Sequence, residues 1–457
     1  MRSSFAGRLG NIPGAITIGV MGLAPLPYGS VEYGWVCIWL GILAACVLVR
    51  IWITPLPSRE APLLIVGLLG LALTGLAWFQ ASTWVPPDLT NPVWQVAARH
   101  GIADAVGRVA IEASTPVYAL AMPLAALLAF AAGYLFADRR SWCLTLIRAL
   151  VVSGFLYALL GILVGISNPG YVLFERKIAY QTDFTGTFIN RNTAAAYFGV
   201  CLLAALTLAF RAWRENWPSG YLPPRERFLF LTQNFSSASA FWTIATAALL
   251  VAVLLTGSRA GMATSLGAAS VLFVLLIRKR GRIRRGAVLL GMIVVVGLIV
   301  QLFGSGNILT RVTEGFDENG RYAAWSSSWD IVKAFPVFGT GLGTFMAAFP
   351  AYRKGEHGIM QIWERAHSTP LEFAAELGLP ATILMCALWV LTSVMLFRAY
   401  RNEPNAYALP ALAFAVLLLT GLHSLVDFPL QIPGCAIPVG IVSGALFRQS
   451  VNKSAAA

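Results

Sequence analysis

Apolar residues run along this chain in long blocks, each ended by a charge, a proline or a glycine. Twelve such blocks stand at about 11–29, 32–53, 61–79, 116–137, 143–166, 192–210, 240–256, 261–277, 286–303, 379–397, 407–425 and 433–447. Roughly 20 apolar residues wound as a helix cross the ~30 Å hydrocarbon layer of a bilayer. The pattern therefore predicts an all-α polytopic membrane protein, a single integral membrane domain over 1–457 with about 12 transmembrane helices. Met1 to Gly10, with Arg2 and Arg8, leads into a block without a small-residue cleavage site and is expected to open a retained first span.

Composition agrees with the pattern. The chain is 58% apolar and only 12% charged, with a mean hydropathy of +0.71, whereas a soluble domain carries about 25% charged residues. A soluble enzyme is excluded. The net charge of +13 would point to nucleic acid in a soluble protein, but here the charges sort by side of the membrane. With the N-terminus inside, the segments on that side hold 21 Lys and Arg against 5 acids, and the other side holds 12 against 15. This is the positive-inside asymmetry, so both termini are expected in the cytoplasm and no nucleic acid is expected as partner. The six cysteines lie in or at the rim of apolar blocks with no CxxC pair, so neither disulfides nor zinc are expected.

Three outward segments are too long for simple turns: 80–115, 167–191 and 304–378, the last a large helical loop between the ninth and tenth spans. Function concentrates in such loops. The first has loosely helical apolar spacing (Val93, Trp94, Ala97, Ile102), which suits either an interfacial helix or a covering loop. The third should contain a helix from about Arg321 to Ala334, with Trp325 and Trp329 on one face, stopped before the glycine-rich run Gly339-Thr340-Gly341-Leu342-Gly343. That run has no strand before it and faces away from cytoplasmic nucleotides, which argues against a phosphate cradle.

The outward loops also carry the chemistry. Arg191, with Asn192 or Thr193 as N-cap, and Arg259, in a turn of a few residues, each stand at the start of a span. A cation beside the positive end of a helix dipole is unfavourable by a few tenths to about 1 kcal/mol, a cost that an incoming anion reverses. Two helix N-termini, each with a guanidinium able to grip oxygens bidentately, make a diphosphate site. The structural alternative is a pair with a loop acid such as Asp183. Arg321 is a third candidate cation, competing for Glu314, Asp317 and Glu318.

His367 precedes a helix start in which Thr369 as N-cap, Pro370 and Glu372 should form a capping box. The dipole there favours a neutral imidazole able to take a proton from a hydroxyl. A bound anionic donor pushes the other way, so both protonation states stay open. His423 and Asp427 share a helix face at i, i+4, either ordering the site or satisfying each other. His100 and His357 have no such framing. Glu372 and Glu376 share a face but form no paired cluster that would hold a metal.

Five runs in order, 185–197 (TGTFINRNTAAAY), 256–261 (TGSRAG), 338–352 (FGTGLGTFMAAFPAY), 366–378 (AHSTPLEFAAELG) and 423–433 (HSLVDFPLQIP), resemble the bacterial O-antigen ligase and O-antigen polymerase superfamily. The resemblance covers about 180–435. One departure is Ser368, where the family often has Asn after the histidine. The resemblance implies a multi-pass, GT-C type glycosyltransferase of the bacterial inner membrane, inverting and independent of metal or other cofactor, working at the periplasmic face. It implies an undecaprenyl-diphosphate-linked glycan as donor, held by Arg191, Arg259 and Arg321. His367 would act on the acceptor hydroxyl, with Trp325, Trp329 and Trp363 as sugar platforms and His423 and Asp427 in support. The acceptor would be lipid A core for a ligase, or a second lipid-linked glycan for a polymerase of O-antigen or exopolysaccharide, and membrane lipids would surround both. A transporter is the competing class, but it should carry ionisable groups at mid-membrane on broken helices, and the cations here sit at one face.

Overall fold

A computed structural model describes residues 2–54, 60–102, 105–177, 179–216, 223–233, 236–278, 320–354, 362–403 and 406–451. Helices dominate: α1 (Arg2–Leu23), α2 (Tyr33–Ile53), α3 (Ala61–Ala81), α4 (Val93–Arg99), α5 (Thr115–Ala119), α6 (Ala121–Phe136), α7 (Arg140–Ser167), α8 (Arg191–Glu215), α9 (Pro224–Gln233), α10 (Ser237–Leu255), α11 (Arg259–Arg278), α12 (Arg321–Ala334), α13 (Phe345–Ala348), α14 (Thr369–Leu377), α15 (Leu379–Asn402), α16 (Ala408–Ser424) and α17 (Pro433–Val451). The strands described are β1 (Tyr171–Val172) and β2 (Glu175–Arg176), an antiparallel hairpin between α7 and α8.

Among the described residues, 9 helices are long and apolar enough to cross a membrane, counting α5 and α6 together. Two further expected spans appear as shorter apolar helices, Asn11–Leu23 and Ala408–Ser424. The block at 286–303 lies outside the described residues, as do His357, Glu314, Asp317 and Glu318.

The bundle is built around α8, whose residues from Asn192 to Ala205 are all buried, while α3 and α15 leave most of their length facing outward. Small residues let the helices close. A Cβ on Gly133 of α6 would fall 1.8 Å from the Ile441 carbonyl oxygen of α17, and one on Gly444 would fall 2.0 Å from that of Phe130, so these backbones touch where no larger residue fits.

At one end of the bundle the basic residues gather. Arg50 pairs with Asp138 at 3.3 Å and Arg448 with Glu60 at 3.6 Å, while Arg448 also lies over the Tyr134 ring and Gln449 donates to the Ala137 carbonyl. The ends of α2, α6 and α17 and the start of α3 meet there, as the alternating topology requires. At the opposite end the long loops fold into a cap, with a small core that includes Ala324, Ile331, Phe345, Phe349 and Ala375.

The glycine run is explained by this cap. Thr340 and Gly341 donate their N–H groups to the carbonyls of Ala375 and Glu376, and Gly339, at φ +64°, lies where a Cβ would meet the Glu376 backbone at 2.3 Å. Gln80, at the end of α3, donates to the Phe338 and Glu376 carbonyls and accepts from Leu342 N–H. These amides are spent on the protein's own carbonyls. The segment after α3 carries the short helix α4, pinned where Trp94 donates to the Ala110 carbonyl at 2.8 Å and Arg108 stacks on Trp94.

Candidate active site

Two of the expected cations are brought together by their helix starts. Asn190, rather than Asn192 or Thr193, caps α8: its side chain accepts from Asn192 N–H at 2.7 Å, which makes Arg191 the first helical residue. Ser258 plays the same part for α11, accepting from Gly261 N–H at 3.1 Å and placing Arg259 first. The freed side chain of Asn192 then accepts from the Ser258 hydroxyl at 2.7 Å, which ties the two helix N-termini side by side. Gly257, at φ +60°, completes the turn with its Cβ position 3.8 Å from Asp183 and 3.9 Å from the Arg191 guanidinium.

Arg191 is paired with Asp183 at 3.0 Å, the loop acid foreseen as its structural partner, and it lies over the Tyr180 ring at 5.3 Å. Its Nε–H is nevertheless buried with no hydrogen-bond partner. A buried charged donor left unmade is costly, so the guanidinium keeps an unfilled edge beside the two helix N-termini.

The second group is built on the turn after α16. Asp427 is fully buried and holds the segment before α14 in two ways. Its carbonyl accepts from Thr369 N–H at 3.3 Å and from the Thr369 hydroxyl at 3.1 Å. Its carboxylate stands 3.5 Å from His367 Nδ1 and 3.8 Å from Arg321. At those lengths the contacts are electrostatic rather than well-formed hydrogen bonds, and Oδ2 is left without a hydrogen-bond partner. Burial pushes the Asp427 carboxyl up, but His367, His423 and Arg321 outweigh it and hold the group below its ordinary value.

His367 has φ +51°, a left-handed conformation that costs a side-chain-bearing residue on the order of 1 kcal/mol. The rings of Trp363, at 5.5 Å, and Phe428, at 5.1 Å, hold the imidazole. With Asp427 facing Nδ1, the tautomer protonated there is favoured and Nε2 keeps its lone pair.

The expected capping box does not form. Ser368 takes the N-cap position of α14 without a side-chain cap bond, and Glu372 reaches further back, accepting from Ala366 N–H at 2.8 Å and pairing with Arg365 at 3.0 Å. Arg365 also donates to Gln431 at 2.9 Å, a second tie between the His367 segment and the turn after α16. His423 and Asp427 do not pair through their side chains as an i, i+4 couple: α16 ends at Ser424, the carboxylate turns to His367 and Arg321, and both ring nitrogens of His423 stay buried without a hydrogen-bond partner. Trp363 is the tryptophan packed on His367, Trp325 packs against Tyr322 and Trp329 is exposed.

Sequence reading missed Tyr180, and it offered Trp363 as a sugar platform rather than as the ring packed on His367. The signal for Tyr180 was absent because a tyrosine in an irregular loop carries no pattern. Arg365 was legible only as a flanking charge.

Residues 244–386 match the O-antigen ligase family. The match supports the O-antigen ligase and polymerase superfamily and, with it, a membrane glycosyltransferase of that general type. It spans Arg259, Arg321 and His367, while Arg191, His423 and Asp427 lie outside it and join the site through the fold. Comparison with curated proteins finds no match.

Glu376, buried under the cap, accepts from Phe345 N–H at 2.9 Å. Burial first, and the Glu372 charge second, push its carboxyl up to about 8. A carboxyl raised in the folded state keeps its proton where the unfolded chain has lost it, so stability falls as pH rises from about 4.5 to about 8 and levels off above. Glu376→Gln keeps the oxygen that accepts from Phe345 and removes the titration. Thermal midpoints in detergent should decline over this pH range for the parent and stay flatter for the variant; parallel curves would refute the assignment.

Proposed function

We propose that this protein transfers a glycan from an undecaprenyl-diphosphate-linked donor to a sugar hydroxyl at the periplasmic face of the bacterial inner membrane, as an O-antigen ligase does with lipid A core. The observation that supports this reading is the Asn192–Ser258 bond, which sets two helix N-termini side by side, each opening on an arginine, an arrangement suited to an anion. Arg191 and Arg259 bind the donor diphosphate, and Arg321 adds positive charge from the His367 side. The acceptor hydroxyl oxygen attacks the anomeric carbon, the bond from that carbon to the diphosphate oxygen breaks, and His367 Nε2 takes the hydroxyl proton. Negative charge grows on the departing diphosphate, where guanidinium and helix-terminal N–H groups stabilise it most. Attack opposite the diphosphate inverts the anomeric configuration. Asp427 positions His367 and stabilises the imidazolium that forms, and His423 supports the turn that carries Asp427.

The acceptor distinguishes ligase from polymerase, since both need the same cations and the same base. Deleting the gene in its native host and resolving surface glycans on a gel separates them. A ligase mutant should accumulate long lipid-linked chains beside bare lipid A core. Single repeats on the core, or loss of a secreted polymer, would reassign the protein as a polymerase of O-antigen or exopolysaccharide. Unchanged glycans with altered export of a solute would replace the transferase by a transporter.

A further inference from the structure

Between the two charged groups stands a residue that the transfer chemistry above does not use. The β1–β2 hairpin leads into a tight turn in which Lys177 donates its ammonium to the Asp183 carbonyl at 2.6 Å and Asp183 donates its N–H to the Tyr180 carbonyl at 3.1 Å. Inside this turn Tyr180 has φ +55°. A bulky residue in the left-handed region is strained, and such strain persists only where surrounding contacts impose it. One face of the ring carries the Arg191 guanidinium at 5.3 Å. The other end, the phenol, lies within electrostatic reach of Asp427 and Arg321 as well as of Arg191 and Asp183. Tyr180 thus packs on the Arg191–Asp183 pair and lies within electrostatic reach of the Arg321–Asp427 pair, which belongs to a different loop. Burial first, and Asp427 next, raise the phenol above its ordinary value, so it remains a neutral O–H donor.

We propose that Tyr180 is a further substrate-contacting residue of this site, its phenol donating a hydrogen bond to an oxygen of the lipid-linked diphosphate while its ring holds Arg191 in position. The assignment rests on the transferase reading above. It divides the side chain into two functions that can be removed separately. The ring stiffens Arg191 through a cation–π contact, which serves diphosphate binding in ground state and transition state alike. The hydroxyl gains strength as charge develops on the departing oxygen, so it serves turnover more than binding.

The test uses the full chain in lipid nanodiscs, with undecaprenyl diphosphate as the binding probe and the host's lipid-linked glycan and its acceptor for turnover. Tyr180→Phe should bind undecaprenyl diphosphate within about twofold of the parent and lose roughly ten- to a hundredfold in kcat, the loss expected for one hydrogen bond to a charged oxygen. Tyr180→Ala should lose a similar factor in kcat and also bind the probe several-fold more weakly. A merely structural tyrosine would give the two variants the same kcat and KM as the parent once scaled for folded protein, and that outcome overturns the proposal, as does a Phe variant with parental kcat. If the parent neither binds the probe nor transfers glycan, the transferase reading itself fails, and Tyr180 falls with it.

Discussion

Replacing His367 by glycine should abolish glycan transfer, by about two orders of magnitude or more in turnover, with the strain relieved at that position offsetting part of the lost ring packing. The choice of glycine follows from the backbone. His367 sits at φ +51°, where glycine is free of the strain that any other residue bears. Glycine and alanine both lose the ring packing on Trp363 and Phe428; alanine keeps the backbone strain as well, so glycine brings the smaller folding defect of the two. Asp427→Asn should also lose activity, because an amide facing Nδ1 no longer favours the tautomer that leaves Nε2 basic. His100, exposed at the end of α4, is the silent control. Transfer by the glycine variant at near-parental rate, measured on equal amounts of monodisperse protein, would show that His367 only shapes the start of α14.

Arg191→Lys and Arg259→Lys should each reduce transfer by about two to three orders of magnitude, the scale of losing one preorganised donor to a developing anion. Lysine preserves the charge and, at position 191, the reach to Asp183, so expression and melting should change little. What it loses is the planar fork that grips two phosphate oxygens at once. Arg191→Ala goes further and strands Asp183 without its cation; adding Asp183→Ala should restore stability but not transfer. Near-normal turnover in both lysine variants would move the diphosphate site elsewhere.

The bundle was legible because a membrane writes its thickness into sequence: the blocks that became α2, α7 and α15 needed only their length and their flanking charge. The starts of α8, α11 and α15 were legible to within two residues. The caps shifted, from Thr193 or Asn192 to Asn190 and from Thr369 to Ser368, because several small polar residues in a row can each cap and tertiary partners choose among them. Asn192 was taken by Ser258, and Thr369 by the Asp427 carbonyl. The site's cations were readable singly, since a charge at a span's edge is conspicuous. Their partners were not. Asp427 looked like a neighbour of His423 along one helix, and only the early end of α16 turned it toward His367, a residue 60 positions away on another segment. Tyr180 had no periodicity to betray it, and loops without periodicity are where tertiary contact alone decides position.

The seam between α6 and α17 carries a consequence for how the chain is made. Gln449 reaches the Ala137 carbonyl across 312 positions of sequence, and Gly133 and Gly444 close on backbone from opposite sides. During synthesis α6 enters the bilayer before α17 and before all that lies between them, so until α17 follows, the small-residue face of α6 has lipid or a chaperone against it in place of its partner. The seam is therefore a late latch: everything between, including the turns that carry Arg191, Arg259 and His367, inserts before the bundle is locked. A ribosome stalled before α17 would leave a protein with the turns of the candidate site already made and no α17 to pack on α6 and hold them in register.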